Sequence, residues 1–369
     1  MINFSERLKK MKNRRQGTAE INRLLEGLES FGVDIRGVED YEKLDENEAI
    51  RYVIGAMAPV SPESTQISIS EGERVADTLI GLLQTVGIDT ERRMQGSVAL
   101  DIHIEGHSDV DMLIIKHGLV TYHSPALNGT AYTPSSDTRT MEEIVQEIRL
   151  ESENKLSSRY HAANVDCTGN KSISISGGSL KRKVDIVPSS WLDTHEYQNT
   201  KKEYHRVIRI YDKKAHTLLE NKPFLHIKNV NDKDTINSGN LKKVVRLMKN
   251  IIADMPDYKK FKAKKLSSYD LTGIAYSMDR ELVCPNYLPL LLLENLRSYL
   301  ALLQSSFTLR DNLYVPDETR KIFNDDSKIE ALNILSNEVN ELAISVVKSL
   351  QPHSSTYSLN VFKNKPIYI

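Results

Sequence analysis

Residues 108–115 read Ser-Asp-Val-Asp-Met-Leu-Ile-Ile, an apolar strand that carries two carboxylates at alternate positions. In a strand, residues i and i+2 point to the same face, so Asp109 and Asp111 converge on one side. On an otherwise apolar strand such a pair is costly unless it binds something cationic. A second apolar strand, Lys183-Val-Asp-Ile-Val, puts a third carboxylate, Asp185, between apolar neighbours. Three oxygen donors with no nearby Cys or His cluster favour a hard ion, Mg²⁺. Mg²⁺ keeps positions open for waters and phosphates, so the expected ligand is phosphorylated. His103 and His107 flank the acidic strand but are poor ligands for such an ion.

These strands sit in the middle of the chain, between helical stretches. Residues 1 to about 30 read as a helix pair broken at Gly17, and 43–57 as an amphipathic segment. After the connector Ala58-Pro-Val-Ser-Pro-Glu-Ser, the spacing of Val75, Leu79, Leu82 and Leu83 predicts a helix over 71–86, capped by Ser70 and stopped at Gly87. The period then changes to two. Strands are expected at 92–97, 102–104 and 110–115, a loop over 121–138, and a helix over 141–151. Ser172-Ile-Ser-Ile-Ser, the Gly177-Gly178 turn and the return strand 183–188 read as a hairpin, as do 207–211 and 216–219. From Asn240 onward the pattern is helical over 240–254, 268–279, 286–307 and 328–349. The expected fold is therefore α+β and two-lobed: N-terminal helices and a mixed-sheet catalytic lobe over 1–222, and a mostly helical lobe over 223–369. A substrate site is expected between lobes.

A chain of 369 residues can bury a sizeable core, and 49 Lys and Arg against 50 Asp and Glu exclude a uniformly basic nucleic-acid-coating protein. The near balance conceals a split. Residues 241–265 hold nine Lys and Arg against two Asp, and residues 1–15 hold six against one Glu, so the remainder is acidic. The first segment is expected to face triphosphates and a nucleic-acid activator, whereas the N-terminal run reads as a solvated helix face. Cys167 and Cys284 make neither a metal spacing nor a disulfide scaffold. The N-terminus lacks the apolar stretch of a signal peptide, and the run 287–303 is interrupted by Glu294, Asn295, Arg297 and Ser298. A soluble cytoplasmic protein with no membrane partner is expected.

Gly96-Ser97 lies twelve residues before Asp109. A small pair at a turn lets backbone N–H groups approach a triphosphate, and the serine adds a donor. Gly-Ser, Asp-Val-Asp and Val-Asp-Ile together resemble the signature of the DNA polymerase β-like nucleotidyltransferase superfamily. In the helical half, Arg246-Leu-Met-Lys249 followed by Leu266-Ser-Ser-Tyr269 resembles cyclic GMP–AMP synthase and the bacterial CD-NTases. The stretches Pro223 to Gly239 and Val315-Pro-Asp are similar to that family as well. The zinc-binding insertion of the animal synthase has no counterpart, so the likeness is to the bacterial type.

The resemblance implies a set of roles. Asp109, Asp111 and Asp185 hold two Mg²⁺ ions, with Mn²⁺ as a substitute, and Asp185 helps deprotonate the acceptor hydroxyl. Gly96, Ser97, Lys249 and Ser268 hold the donor triphosphate, Arg246 shares the face of Lys249, and Tyr269 stacks on the donor base. It implies a nucleotidyltransferase joining NTPs, ATP among them, with pyrophosphate release into a cyclic oligonucleotide. An effector protein in trans would read that messenger in antiphage signalling, with a nucleic acid or protein as activator. The alternative reading keeps the site but changes the product: template-independent synthesis of linear RNA or DNA oligomers, or nucleotidylation of a tRNA or protein. A non-catalytic nucleotide sensor is the third reading, and the intact carboxylates weigh against it.

Overall fold

The computed structural model describes residues 2–15, 38–106, 108–127, 129–353, 358 and 360–368. In chain order the first helices are α1 (Phe4–Arg15), α2 (Asp40–Lys43), α3 (Glu48–Met57) and α4 (Pro62–Gln84). Then come β1 (Thr90–Gln95), α5 (Gly96–Ala99), β2 (Val110–Tyr122), α6 (Met141–Arg159), β3 (Asn164–Asp166), β4 (Ile173–Ser176), β5 (Val184–Asp193), α7 (His195–Thr200), β6 (Val207–Asp212) and β7 (Thr217–Asn221). The helical series is α8 (Pro223–Ile236), α9 (Asn240–Asp254), α10 (Asp257–Ala263), α11 (Ser268–Tyr276), α12 (Pro289–Ser305), α13 (Phe307–Asp311), α14 (Asp326–Leu350) and α15 (Asn360–Lys363). The α+β class and the mixed sheet stand as the alternation of periods implies.

The chain divides into two compact units, residues 61–100 with 108–229, and residues 1–60 with 101–107 and 230–369. The sequence reading places all of 1–222 in one lobe. Instead, residues 2–15 and 38–60 cluster with the C-terminal helices. The reason is packing: α3 is buried along almost its whole length and lies against α1, α9, α12 and α14. No local pattern marks which sheet or bundle an apolar helix will cover.

The sheet unit is built on seven strands in the order β1-β2-β5-β4-β3, with β6 pairing β5 and β7 completing a hairpin. Only β2 and β5 run parallel. Even-numbered Val110, Met112, Ile114, Val184 and Ile186 join Val75, Leu79 and Leu83 of α4 and Ile144, Ile148 and Leu156 of α6 in one core. Odd-numbered Leu113, Ile115 and Val187 join Trp191, Ile208 and Ile210 on the opposite face. Gly72 permits the close approach of α4: a Cβ there would lie 2.5 Å from Val110 Cγ1.

Several elements differ from expectation: β1 ends at Gln95, so Gly96 and Ser97 open helix α5 instead of closing the strand, α6 runs on to Arg159, and two further differences are larger. Helix α4 starts at Pro62 rather than near Ser70, because Ser61 caps it, accepting from the Ser64 N–H at 3.2 Å, and proline suits the first helical position. The polar run 63–71 hides that start, since Ser64 and Ser68 are buried where Arg182 donates to both hydroxyls. Residues 102–104 form no strand. They belong to the helical unit, where Lys249 of α9 donates to the Ile102 carbonyl. The second half of the expected N-terminal helix pair lies outside the described residues.

Candidate active site

The register of the sheet assembles the acidic residues. Asp111 of β2 pairs directly with Asp185 of β5, and the same parallel ladder sets Val110 beside Val184. Asp109 and Lys183 each precede their strand by one residue, so they flank this pair on the same face. Across β1, β2, β5, β4 and β3 that face carries a polar row: Gln95, Asp111, Asp185, Ser174 and Asp166 lie opposite one another in turn. Two residues further into the strands the same face turns apolar at Leu113, Ile115 and Val187. The polar patch is thus a strand-start edge on an otherwise buried face.

Lys183 Nζ donates to Asp109 Oδ2 at 2.6 Å and lies 3.6 Å from Asp185 Oδ1. Burial works against this ammonium, but the hydrogen bond to Asp109 and the charge of Asp185 outweigh it and raise its pKa. Asp185 is pushed up from the ordinary carboxylate range, chiefly by burial, although Ser174 and the Lys183 charge pull the other way. Asp185 Oδ1 and Ser174 Oγ are both buried, on paired strands.

Gly96 and Ser97 open α5 immediately after β1. Gly96 has φ +77°, and a Cβ on it would lie 2.1 Å from Asp111 Oδ2. Glycine is therefore required twice, for the left-handed backbone and for the carboxylate that presses on it. This close approach ties the Gly-Ser turn to Asp111.

The donor set suits a hard cation. All three carboxylates offer oxygen, and a neighbouring ammonium already supplies positive charge to two of them. Among the described residues, no three Asp, Glu, His or Cys side chains are gathered tightly enough to close round an ion as they stand.

The other expected residues lie in the helical unit. Arg246 and Lys249 of α9 do share a face, and both reach the 101–102 segment: Arg246 donates to the Asp101 carbonyl at 2.7 Å and Lys249 to the Ile102 carbonyl at 2.9 Å. Arg246 also donates to the Met57 carbonyl at 2.9 Å and is only 5% exposed. Its expected place beside the phosphates is thereby corrected to that of a strut holding α3 and the 101–102 segment against α9. Arg246→Leu leaves two carbonyls without their donor, and we expect it to cost about 2–4 kcal/mol, read as a lower midpoint in urea.

Ser268 and Tyr269 stand at the start of α11. Ser267 caps the helix in a capping box with Asp270. Asp270 is buried and takes Arg320 at 2.6 Å and Lys328 at 3.2 Å. Tyr269 donates its hydroxyl to buried Asp317 at 2.8 Å, and burial, with the charge of Asp317, raises its pKa. The ring is thus held by a fixed carboxylate of the Val315-Pro-Asp stretch.

The basic segments are less open than their composition implies. Lys259 pairs with Glu338, Lys262 with Glu330 and Lys260 with Asp257. The N-terminal run is not simply a solvated face. Arg7 is buried against Glu338, Arg14 binds Asp254, and Arg15 takes Glu39 at 2.6 Å.

Sequence reasoning missed Lys183, Ser174, Gln95 and Asp166 in the sheet, and Asp270 and Asp317 in the helical unit. Lys183 was within reach of the alternation argument, since it stands two residues before Asp185. The others depend on strand register or on contacts across about 50 residues.

Comparison with known proteins identifies relatives of the chain and of its fold. Residues 228–342 match the cGAS/DncV-like nucleotidyltransferase C-terminal helical domain. The chain is 35% identical over 376 residues to the cyclic dinucleotide synthase CdnE of Yersinia aleksiciae, covering 97% of this chain and 96% of that protein. A c-di-GMP synthase of Capnocytophaga granulosa is 32% identical over 253 residues, covering 63% of this chain and 69% of that protein. The solved structure of the STING-associated CdnE c-di-GMP synthase from Capnocytophaga granulosa superposes with a TM-score of 0.70 at 28% identity, covering 94% of this chain and 99% of that one. Among the described residues no helix is long and apolar enough to cross a membrane.

Proposed function

The chain belongs to the cGAS/DncV-like nucleotidyltransferase (CD-NTase) family, and on that premise we propose that it is a Mg²⁺-dependent synthase of a cyclic dinucleotide. The observation that carries this reading is the shared face on which Asp109, Asp111 and Asp185 meet, with Gly96 closed against Asp111. Relatives named as c-di-GMP synthases make GTP the first substrate to supply, as donor and as acceptor.

Mg²⁺ held by Asp109, Asp111 and Asp185 would neutralise the donor triphosphate and lower the pKa of the acceptor hydroxyl. The acceptor oxygen bonds the α-phosphorus as the bond to pyrophosphate breaks, and Asp185 takes the hydroxyl proton. The hydroxyl of Ser97 and the backbone of the Gly96 turn serve the triphosphate, as do Lys249 and Ser268. Tyr269 stacks on the donor base. A second transfer on the linear intermediate closes the ring. The cyclic product is read by a receptor in trans, in defence against phage, a setting supported by the STING association of solved relatives.

Tyr269→Ala removes the stacking ring, which is worth about 1–3 kcal/mol per base, and should raise the apparent KM for nucleotide on the order of tenfold or more. Steady-state kinetics check this, and a kcat loss without a KM change would contradict the stacking role. The reading as a whole is tested by incubating the protein with α-labelled GTP, then with each NTP pair, in Mg²⁺. A phosphatase-resistant product supports it. A phosphatase-sensitive ladder would point to linear chains, and label retained on denatured protein to nucleotidylation.

A further inference from the structure

The fourth corner of the acidic square is a cation. Asp109 and Asp111 alternate at the start of β2, and Lys183 and Asp185 alternate at the start of the parallel strand β5. The Val110 N–H donates to the Lys183 carbonyl at 3.0 Å, which fixes the two strand starts side by side. Lys183 therefore faces Asp109 as Asp185 faces Asp111. Its Nζ is 2.6 Å from Asp109 Oδ2 and 3.6 Å from Asp185 Oδ1, so one ammonium serves two of the three carboxylates.

Charge explains why a lysine belongs there. Three carboxylates on adjacent strand starts repel one another, and the partial burial of Asp185 weakens the screening by water there. A side-chain ammonium neutralises part of that charge in the folded chain. It does so with the same oxygens that a divalent cation takes. The lysine stem is flexible and the side chain is 41% exposed, so its head can leave for solvent without opening the core.

We propose that Lys183 is an internal counter-ion of the acidic site that a divalent cation must displace from Asp109 and Asp185, so that this residue sets the cation affinity of the site. The proposal rests on the reading of Asp109, Asp111 and Asp185 as the cation ligands. Displacing a partly exposed ion pair is worth up to about 1 kcal/mol, or about fivefold in affinity.

Mn²⁺ binding to the nucleotide-free full chain, followed by the electron paramagnetic resonance of free Mn²⁺, tests it without any turnover. Lys183→Met should bind Mn²⁺ about fivefold more tightly than the native chain, and Lys183→Arg, which keeps the charge, should bind like it. Lys183→Gln serves as a second neutral variant, and circular dichroism establishes that each is folded. A second readout is thermal. Without metal, both neutral variants should melt lower than the native chain, and Mn²⁺ should raise their melting points further. Unchanged or weaker Mn²⁺ binding in folded Lys183→Met and Lys183→Gln, with binding still lost in Asp111→Asn, overturns the counter-ion proposal alone. Equal Mn²⁺ binding by the native chain and Asp111→Asn overturns the ligand assignment itself.

Discussion

Asp111→Asn is expected to reduce nucleotide transfer by on the order of 10³-fold or more while leaving the protein folded. The carboxylate lies in the polar row between Gln95 and Asp185, and closes against Gly96. An amide of the same shape keeps the packing but removes a charge that phosphate-bound cations need. In the metal-free chain that charge faces Asp185 directly across the ladder, so its loss relieves repulsion. The melting point should therefore hold or rise as activity disappears. Pyrophosphate release and a thermal melt on the same preparation check both halves. A variant that retains a tenth of native activity would remove Asp111 from the site.

Gly96→Ala is the second large effect, and it acts through a neighbour rather than through lost chemistry. The new Cβ would sit 2.1 Å from Asp111 Oδ2, and the φ of +77° strains any residue with a side chain. The backbone strain alone costs about 1–2 kcal/mol. The carboxylate must move, and a displacement of about 1 Å in a reacting geometry can cost 10²-fold in rate. We expect about that loss in kcat. Because the substitution works through Asp111, it should add little to Asp111→Asn: in the double variant the losses should fall well short of their product. Kinetics of the two single variants and the double variant measure this coupling. Fully multiplicative losses would mean that Gly96 matters for the phosphates and not for the carboxylate.

The local periodicities carried much of the fold. Alternation identified β2, β4 and β5, and it put Asp109 and Asp111 on one face, because side-chain direction in a strand is a local property. The helical series after Asn240 was equally legible from its spacing. Register was not. That Asp111 stands opposite Asp185, and that Ser174 and Asp166 extend the row, depends on how distant strands align. Lys183 shows the boundary well: its alternation with Asp185 is visible in the sequence, but its bond to Asp109 needs the parallel pairing of β5 with β2.

Buried charge escaped for a similar reason. Arg7 and Arg15 look like surface residues because their partners, Glu338 and Glu39, are remote in the chain. Arg246 looked like a phosphate ligand because its neighbour Lys249 shares its face. Its acceptors, the carbonyls of Met57 and Asp101, leave no trace in a side-chain pattern. The start of α4 at Pro62 was hidden by serines whose hydroxyls are buried against Arg182. The joining of residues 2–15 and 38–60 to the C-terminal helices rests on which apolar faces meet, and that is decided only in three dimensions.

The most direct measurement of the central claim is the stoichiometry of the product formed from GTP and Mg²⁺, taken as pyrophosphate released per nucleotide incorporated together with the product's mass. Ring closure releases one pyrophosphate for every nucleotide joined and leaves a product with one phosphate per base and no triphosphate end. That result, lost in Asp111→Asn, is the one predicted. A product that keeps a 5′-triphosphate and releases one pyrophosphate fewer than its number of nucleotides, whichever NTP is supplied, would contradict it.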